Sequence, residues 1–159
     1  MNQDNLSSVE TTADDVAYWK ALKHTDEILA RLLDQIPRSN PFEGRTDLVS
    51  QISADVLASR TLYFNKAVTD FIQYHHDNEI QVVVVAAGLD TRAYQPANHP
   101  SAKTVTFFEV DLPAFSTRKQ KLLQLAQVPT SNTQYISHDI LSGDIVEKLK
   151  SYGFDSNKA

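Results

Sequence analysis

An α/β fold, three parallel strands preceded by an amino-terminal helical segment, is what this 159-residue sequence predicts. Two observations carry that prediction. Ile80 and the unbroken run Val82–Val85 lack the apolar/polar alternation of a half-exposed antiparallel strand. Continuous β-branched runs of that kind belong to strands covered on both faces, as in parallel sheets. Downstream, strand-like and helix-like stretches alternate, which implies right-handed crossovers between parallel strands.

The amino-terminal segment reads as follows. Residues 1–13 are rich in Asn, Gln, Ser and Thr and read as a flexible tail. Residues 14–78 form the helical segment. Asp14-Asp15 read as a helix start, offering oxygen acceptors and negative charge at the positive end of a helix dipole. From Val16 to Leu33 the apolar residues Val16, Trp19, Leu22, Ile28, Leu29, Leu32 and Leu33 recur at helical spacing, and Pro37 and Pro41 close that helix. Tyr18 and Trp19 read as packing residues, with a substrate contact left open. Thr46 is positioned to cap a second helix through Leu57, and a third runs from Arg60 to Tyr74.

Residues 79–159 hold the alternating part. A strand is expected over Ile80–Ala87 and a second over Thr104–Val110. Pro113 in the first turn starts a helix that continues through Gln127. A third strand is expected over Thr133–Ser137, and a last helix over Asp144–Tyr152, stopped by Gly153.

Bulk composition narrows the function classes. A net charge of −5 disfavours a general nucleic-acid binder. The chain has no cysteine, so it has no disulfide, thiolate metal site or cysteine nucleophile. No stretch approaches the roughly 18 apolar residues of a spanning helix, and the amino terminus lacks the apolar core of a signal peptide. A cytoplasmic protein without membrane or nucleic-acid partners is the expectation. The histidines show no metal-ligand spacing: His75-His76 are adjacent, and His24, His99 and His138 lie in separate segments.

Candidate site residues gather at the carboxyl ends of the strands, where open α/β sheets bind ligands. The first strand ends in Ala86, Ala87 and Gly88, small enough for close approach of a ligand. Asp111 lies 23 positions beyond Gly88, near the spacing of about 20 at which nucleotide folds place an acid on the ribose hydroxyls. Glu109 shares its strand face and could share or replace that role. Strand-terminal acids are also common turn formers and caps, and Gly88 alone is equally a turn residue. The absence of G-x-G-x-x-G argues against a dinucleotide, because a pyrophosphate needs very close backbone approach.

Val84-Val85-Ala86-Ala87-Gly88-Leu89-Asp90-Thr91-Arg92-Ala93-Tyr94, followed by Phe107-Phe108-Glu109-Val110-Asp111-Leu112-Pro113, resembles the leucine carboxyl methyltransferase family. Arg60-Thr61-Leu62-Tyr63-Phe64-Asn65 and Gly153-Phe154-Asp155 extend the resemblance over about residues 45 to 156. It implies a partial Rossmann-like methyltransferase fold with S-adenosyl-L-methionine as cofactor. It also implies methyl transfer to an oxygen, with a small-molecule or protein-carboxylate acceptor. Arg60 would pair with the carboxylate of the cofactor's methionine portion. Ala86 and Gly88 would pass beneath the methionine and ribose, and Asp111 would hold the ribose hydroxyls. Asp139 and the Ile140 N–H would read the adenine edge. Asp90 and Arg92 read as a structural ion pair bracing the loop. Two positions depart from the family pattern: Ala86 stands where the family usually has Gly, and Asn65 where it has Asp.

The family fold also continues into a fourth strand beside the first, which these 159 residues do not supply. A truncated chain, weak in cofactor binding and turnover, is therefore expected. The alternative is a catalytically inactive half-domain that binds cofactor or a partner. An open edge on the valine-rich strand allows self-association.

Overall fold

The computed structural model describes residues 8–21, 23, 26–38, 40–75, 79–98 and 104–158. His24, His76 and His99 lie outside the described residues. The helices are α1 (Ser8–Ala21), α2 (Glu27–Leu33), α3 (Leu48–Tyr74), α4 (Pro113–Leu125) and α5 (Ile145–Ser151). The strands are β1 (Ile80–Val85), β2 (Val105–Asp111) and β3 (Thr133–Ser137). They form one parallel sheet in the order β1-β2-β3, with Val84 opposite Glu109 and Asp111 opposite Ser137. This is a mixed α/β architecture consistent with a partial Rossmann-like methyltransferase fold.

The amino-terminal helices differ in their ends from the sequence expectation. Helix α1 starts at Ser8, ahead of Asp14-Asp15. Those two acids are tertiary partners rather than a helix start. The fully buried Asp14 accepts two hydrogen bonds from Arg118 of α4, at 2.7 and 2.9 Å, and Asp15 lies 3.1 Å from Arg38. The expected single helix to Leu33 is two helices. Asp26 starts the second by accepting the Leu29 N–H at 2.9 Å, and it also accepts the Thr91 hydroxyl. An N-cap side chain that supplies an acceptor to a free N–H fixes a helix start wherever it sits. Tyr18 is buried, donates to the Arg38 carbonyl at 2.6 Å, and Trp19 stacks on Phe42 at 3.9 Å.

The two expected helices between residues 46 and 74 are one 27-residue helix, α3. Its cap is Asp47, which accepts the Ser50 N–H at 2.9 Å, not Thr46. The helix runs through residues 58–60 because neither Gly nor Pro interrupts it, and Thr61 bonds back to the Leu57 carbonyl at 2.8 Å.

The sheet separates two cores. On one face Phe107, Leu122, Leu123 and Ile80 pack with α2 residues Leu29, Leu32 and Leu33 and with Ile72 of α3. On the other, Phe108, Val110 and Ile136 meet Leu149 of α5 and Phe154. Strand β1 ends two residues earlier than expected, because Ala86 turns to φ +52°. Strand β2 runs one residue later and so takes in Asp111.

The valine-rich β1 has the open edge expected of it. Among the described residues it pairs only with β2, and Val85 is 49% exposed. At this edge the Gln81 carboxamide makes two hydrogen bonds to the backbone of Asp155. It donates to the Asp155 carbonyl at 2.7 Å and accepts the Asp155 N–H at 2.8 Å. Among the described residues no helix is long and apolar enough to cross a membrane.

Candidate cofactor site

The three strands point their carboxyl ends at one cavity of about 530 Å³. That volume falls within the range of small-molecule sites, roughly 300–1,000 Å³. Its floor is the turn after β1. Ala86 (φ +52°) and Gly88 (φ +46°) both take the left-handed conformation there, which is strained for Ala and free for Gly. The turn is tied down at each step. The Ala87 N–H donates to the Val110 carbonyl at 3.2 Å and the Asp90 N–H to the Ala87 carbonyl at 2.8 Å. The Gly88 N–H reaches Asp111 Oδ2 at 2.6 Å.

Asp111 ends β2. Its second oxygen accepts the Leu112 N–H at 2.8 Å, and its carbonyl accepts the His138 N–H at 2.8 Å. Each carboxylate oxygen can take more than one donor, so the pair still has capacity for ligand hydroxyls. Beyond β3, Asp139 Oδ1 accepts the Leu141 N–H at 2.9 Å and shapes a turn over Ile140–Ser142. Ser142 locks that turn. Its hydroxyl, with one proton to donate, lies 2.6 Å from the Asp139 carbonyl, 2.7 Å from Asp144 Oδ1 and 2.9 Å from His138 Nε2. His138 meets both Ser142 and Asp144 through the same Nε2 atom. A relay needs the two imidazole nitrogens on different partners, so this cluster braces a loop.

Ala86, Gly88, Asp111, Asp139 and Ile140 all line the cavity; Arg60 does not. Arg60 lies on an exposed position of α3. The cation on the wall is Lys20 of α1, a residue the sequence reading passed over. Burial holds its ammonium below the ordinary lysine value, with Asp90 opposing that shift and Arg92 and Arg60 adding to it. The signal was in the spacing. Ala13, Val16, Ala17 and Lys20 recur at three and four positions and put one face of α1 against the cavity. Small alanines on that face carried little weight in a reading tuned to large apolar residues.

Glu109 shares Asp111's strand face but does not line the cavity. It is 3% exposed, lies 2.7 Å from the buried Lys119 ammonium, and accepts the Tyr94 hydroxyl at 3.0 Å. Burial pushes its carboxyl upward, more than Lys119 and Tyr94 pull it down. Tyr94 in turn lies 3.0 Å from the Tyr135 hydroxyl, and burial pushes Tyr135 up to about 12. Asp90 and Arg92 form the expected ion pair at 3.1 Å, and Asp90 also lines the cavity. Among the described residues no group of three or more His, Asp or Glu side chains is arranged to hold a metal.

An acceptor-only carboxylate at the end of β2, a second beyond β3 and a left-handed turn beneath them suit a nucleoside better than a pyrophosphate. The sequence profile described as leucine carboxyl methyltransferase matches residues 6–159. The chain belongs to the leucine carboxyl methyltransferase family. A Mycobacterium avium protein named "Putative S-adenosyl-L-methionine-dependent methyltransferase" is 31% identical over 177 residues, covering 98% of this chain and 55% of that protein. A Mycolicibacterium paratuberculosis protein of the same name is 31% identical, covering 96% of this chain and 54% of its own length. One from Mycobacterium marinum is 32% identical over 106 residues, 66% of this chain and 31% of its own. The chain thus spans about half the length of the first two of these family relatives.

Proposed function

We propose that this chain carries the cofactor-binding half of an S-adenosyl-L-methionine-dependent O-methyltransferase. The observation that supports it is the convergence of Gly88, Asp111, Asp139 and Ile140 on one cavity at the carboxyl ends of three parallel strands. In this reading Asp111 accepts the ribose hydroxyls while its bond to the Gly88 N–H keeps the turn beneath the ribose. The Asp139 carboxylate and the Ile140 N–H offer an acceptor and a donor side by side to the adenine edge. Lys20, with Arg60 adding positive charge nearby, receives the carboxylate of the methionine portion. Bound S-adenosylmethionine supplies a methyl group already activated on a sulfonium. The protein's task is then to align an acceptor oxygen and exclude water. A carboxylate acceptor, on a small molecule or a protein carboxyl terminus, needs no base; a hydroxyl benefits from one.

Calorimetric titration of the chain with S-adenosylmethionine tests this. Weak but saturable binding is expected, with no or little methyl transfer. D111A should weaken binding by about 100-fold, on the scale of two lost hydrogen bonds to a charged acceptor. Equal affinity in D111A would refute the assignment.

A second reading is favoured by the unpaired side of β1 and its exposed Val85: a catalytically inactive half-domain that binds cofactor or a partner along that edge. Size-exclusion chromatography with light scattering separates the two. A stable dimer, or a complex with a separate carboxyl half, supports the second, and a monomer at micromolar concentration removes self-association along that edge.

A further inference from the structure

Lys119 and Glu109 are buried together, with 3% and 2% of their side chains exposed, and neither lines the main cavity. Burying an ion pair is a poor route to stability, since apolar residues of similar volume often do as well. The second contact of Lys119 points to a positional role. Besides Glu109 Oε2 at 2.7 Å, its ammonium donates to the backbone carbonyl of Asp90 at 2.6 Å. Asp90 closes the turn that floors the cavity, through its N–H bond to Ala87. Asp111 holds the middle of the same turn at the Gly88 N–H. The turn is therefore gripped at three points, twice from β2 (the Val110 carbonyl and Asp111) and once from α4.

We propose that Lys119 is a positioning residue for the cofactor site: neutralised by Glu109, its ammonium holds the Asp90 carbonyl and fixes the Gly88–Asp90 turn in the form the ligand meets. Tyr94 serves the same arrangement by donating to Glu109 and packing its ring 5.3 Å from the ammonium. The ligand part of this proposal rests on the cofactor reading above; the grip on the turn does not.

Three variants test it: K119M, E109Q and E109Q/K119M. Urea midpoints, amide hydrogen exchange at Gly88 and Asp90, and the dissociation constant for S-adenosylhomocysteine are measured on each. K119M leaves Glu109 buried and unpaired and should lower the midpoint, whereas the double variant removes both charges and should recover it. Exchange at Asp90 and Gly88 should nevertheless stay about tenfold faster in the double variant, with binding weakened about tenfold. That is the scale of one lost charge-assisted hydrogen bond. E109Q leaves the buried ammonium without its counter-charge and should lower the midpoint, as K119M does. A double variant with restored midpoint and wild-type exchange at both amides would overturn the proposal. If the wild-type protein binds no S-adenosylhomocysteine, the cofactor reading falls, while the exchange rates still decide the grip on the turn.

Discussion

Arg118→Met removes the cation from a carboxylate with no access to solvent. Asp14 is fully buried on α1, Arg118 is 18% exposed on α4, and their two hydrogen bonds measure 2.7 and 2.9 Å. Hydrogen bonds to charged groups contribute about 1.5–3 kcal/mol each, and stripping one partner from a buried pair costs about 3–5 kcal/mol. The expected loss is therefore about 3–5 kcal/mol, a large fraction of the roughly 5–15 kcal/mol that holds a domain together. The damage should also be directional. Helix α1 supplies Ala13, Val16, Ala17 and Lys20 to the cavity wall, so loosening it should weaken the S-adenosylmethionine binding proposed above as well as the fold. Urea unfolding gives the midpoint and slope for the wild type, R118M and D14L/R118M. The double variant removes both charges and should regain most of the midpoint. An R118M midpoint corresponding to less than about 1 kcal/mol of loss would refute the reasoning, because the pair would then behave like an exposed one. A double variant as unstable as the single would refute it too.

Other outcomes follow from single contacts. Ala86→Gly relieves a Cβ held at φ +52°; the left-handed conformation costs about 1–2 kcal/mol, less about 0.5–1 for glycine's chain entropy, so thermal denaturation should show a small net stabilisation. Gln81→Ala loses both bonds to the Asp155 backbone, about 0.5–1.5 kcal/mol each, and limited proteolysis should cut sooner after residue 153. The Asp144 carboxyl is held below its ordinary value of 3.8, chiefly by the Ser142 hydroxyl and then by its own backbone N–H. A depressed carboxyl stabilises fully above its unfolded value and loses that contribution as pH falls through its folded one. NMR titration below pH 4 should find the Asp144 value rising toward 3.8 in S142A; no change would show that the hydroxyl is not the cause.

Some of this protein is written locally, and those parts were legible. β3 occupies Thr133–Ser137 as expected, and Pro113 opens α4 because a ring without an N–H suits a first helical turn. The small residues after β1 and the acids after β2 and β3 announced the cavity, since strand order places all three at one end of the sheet. The misread acids share a cause. Asp14 and Glu109 are held by cations on α4, Arg118 and Lys119, which no local pattern announces. Locally an Asp before an apolar run looks like a cap whatever it does in space. Lys20 was missed for the converse reason, because a lysine on a helix reads as solvated until the facing turn takes its water away.

The sequence by itself determined the alternation of strands and helices, their parallel sense and the family to which the chain belongs, because period, turn chemistry and motif order are properties of neighbours. Only the tertiary structure decided which acid faces the cavity and which is buried, since Glu109 and Asp111 share one strand face and differ in what α4 packs over them. It likewise decided that Lys20 of α1, and not Arg60 of α3, stands on the cavity wall, because which helix face meets the strand ends depends on packing between distant segments.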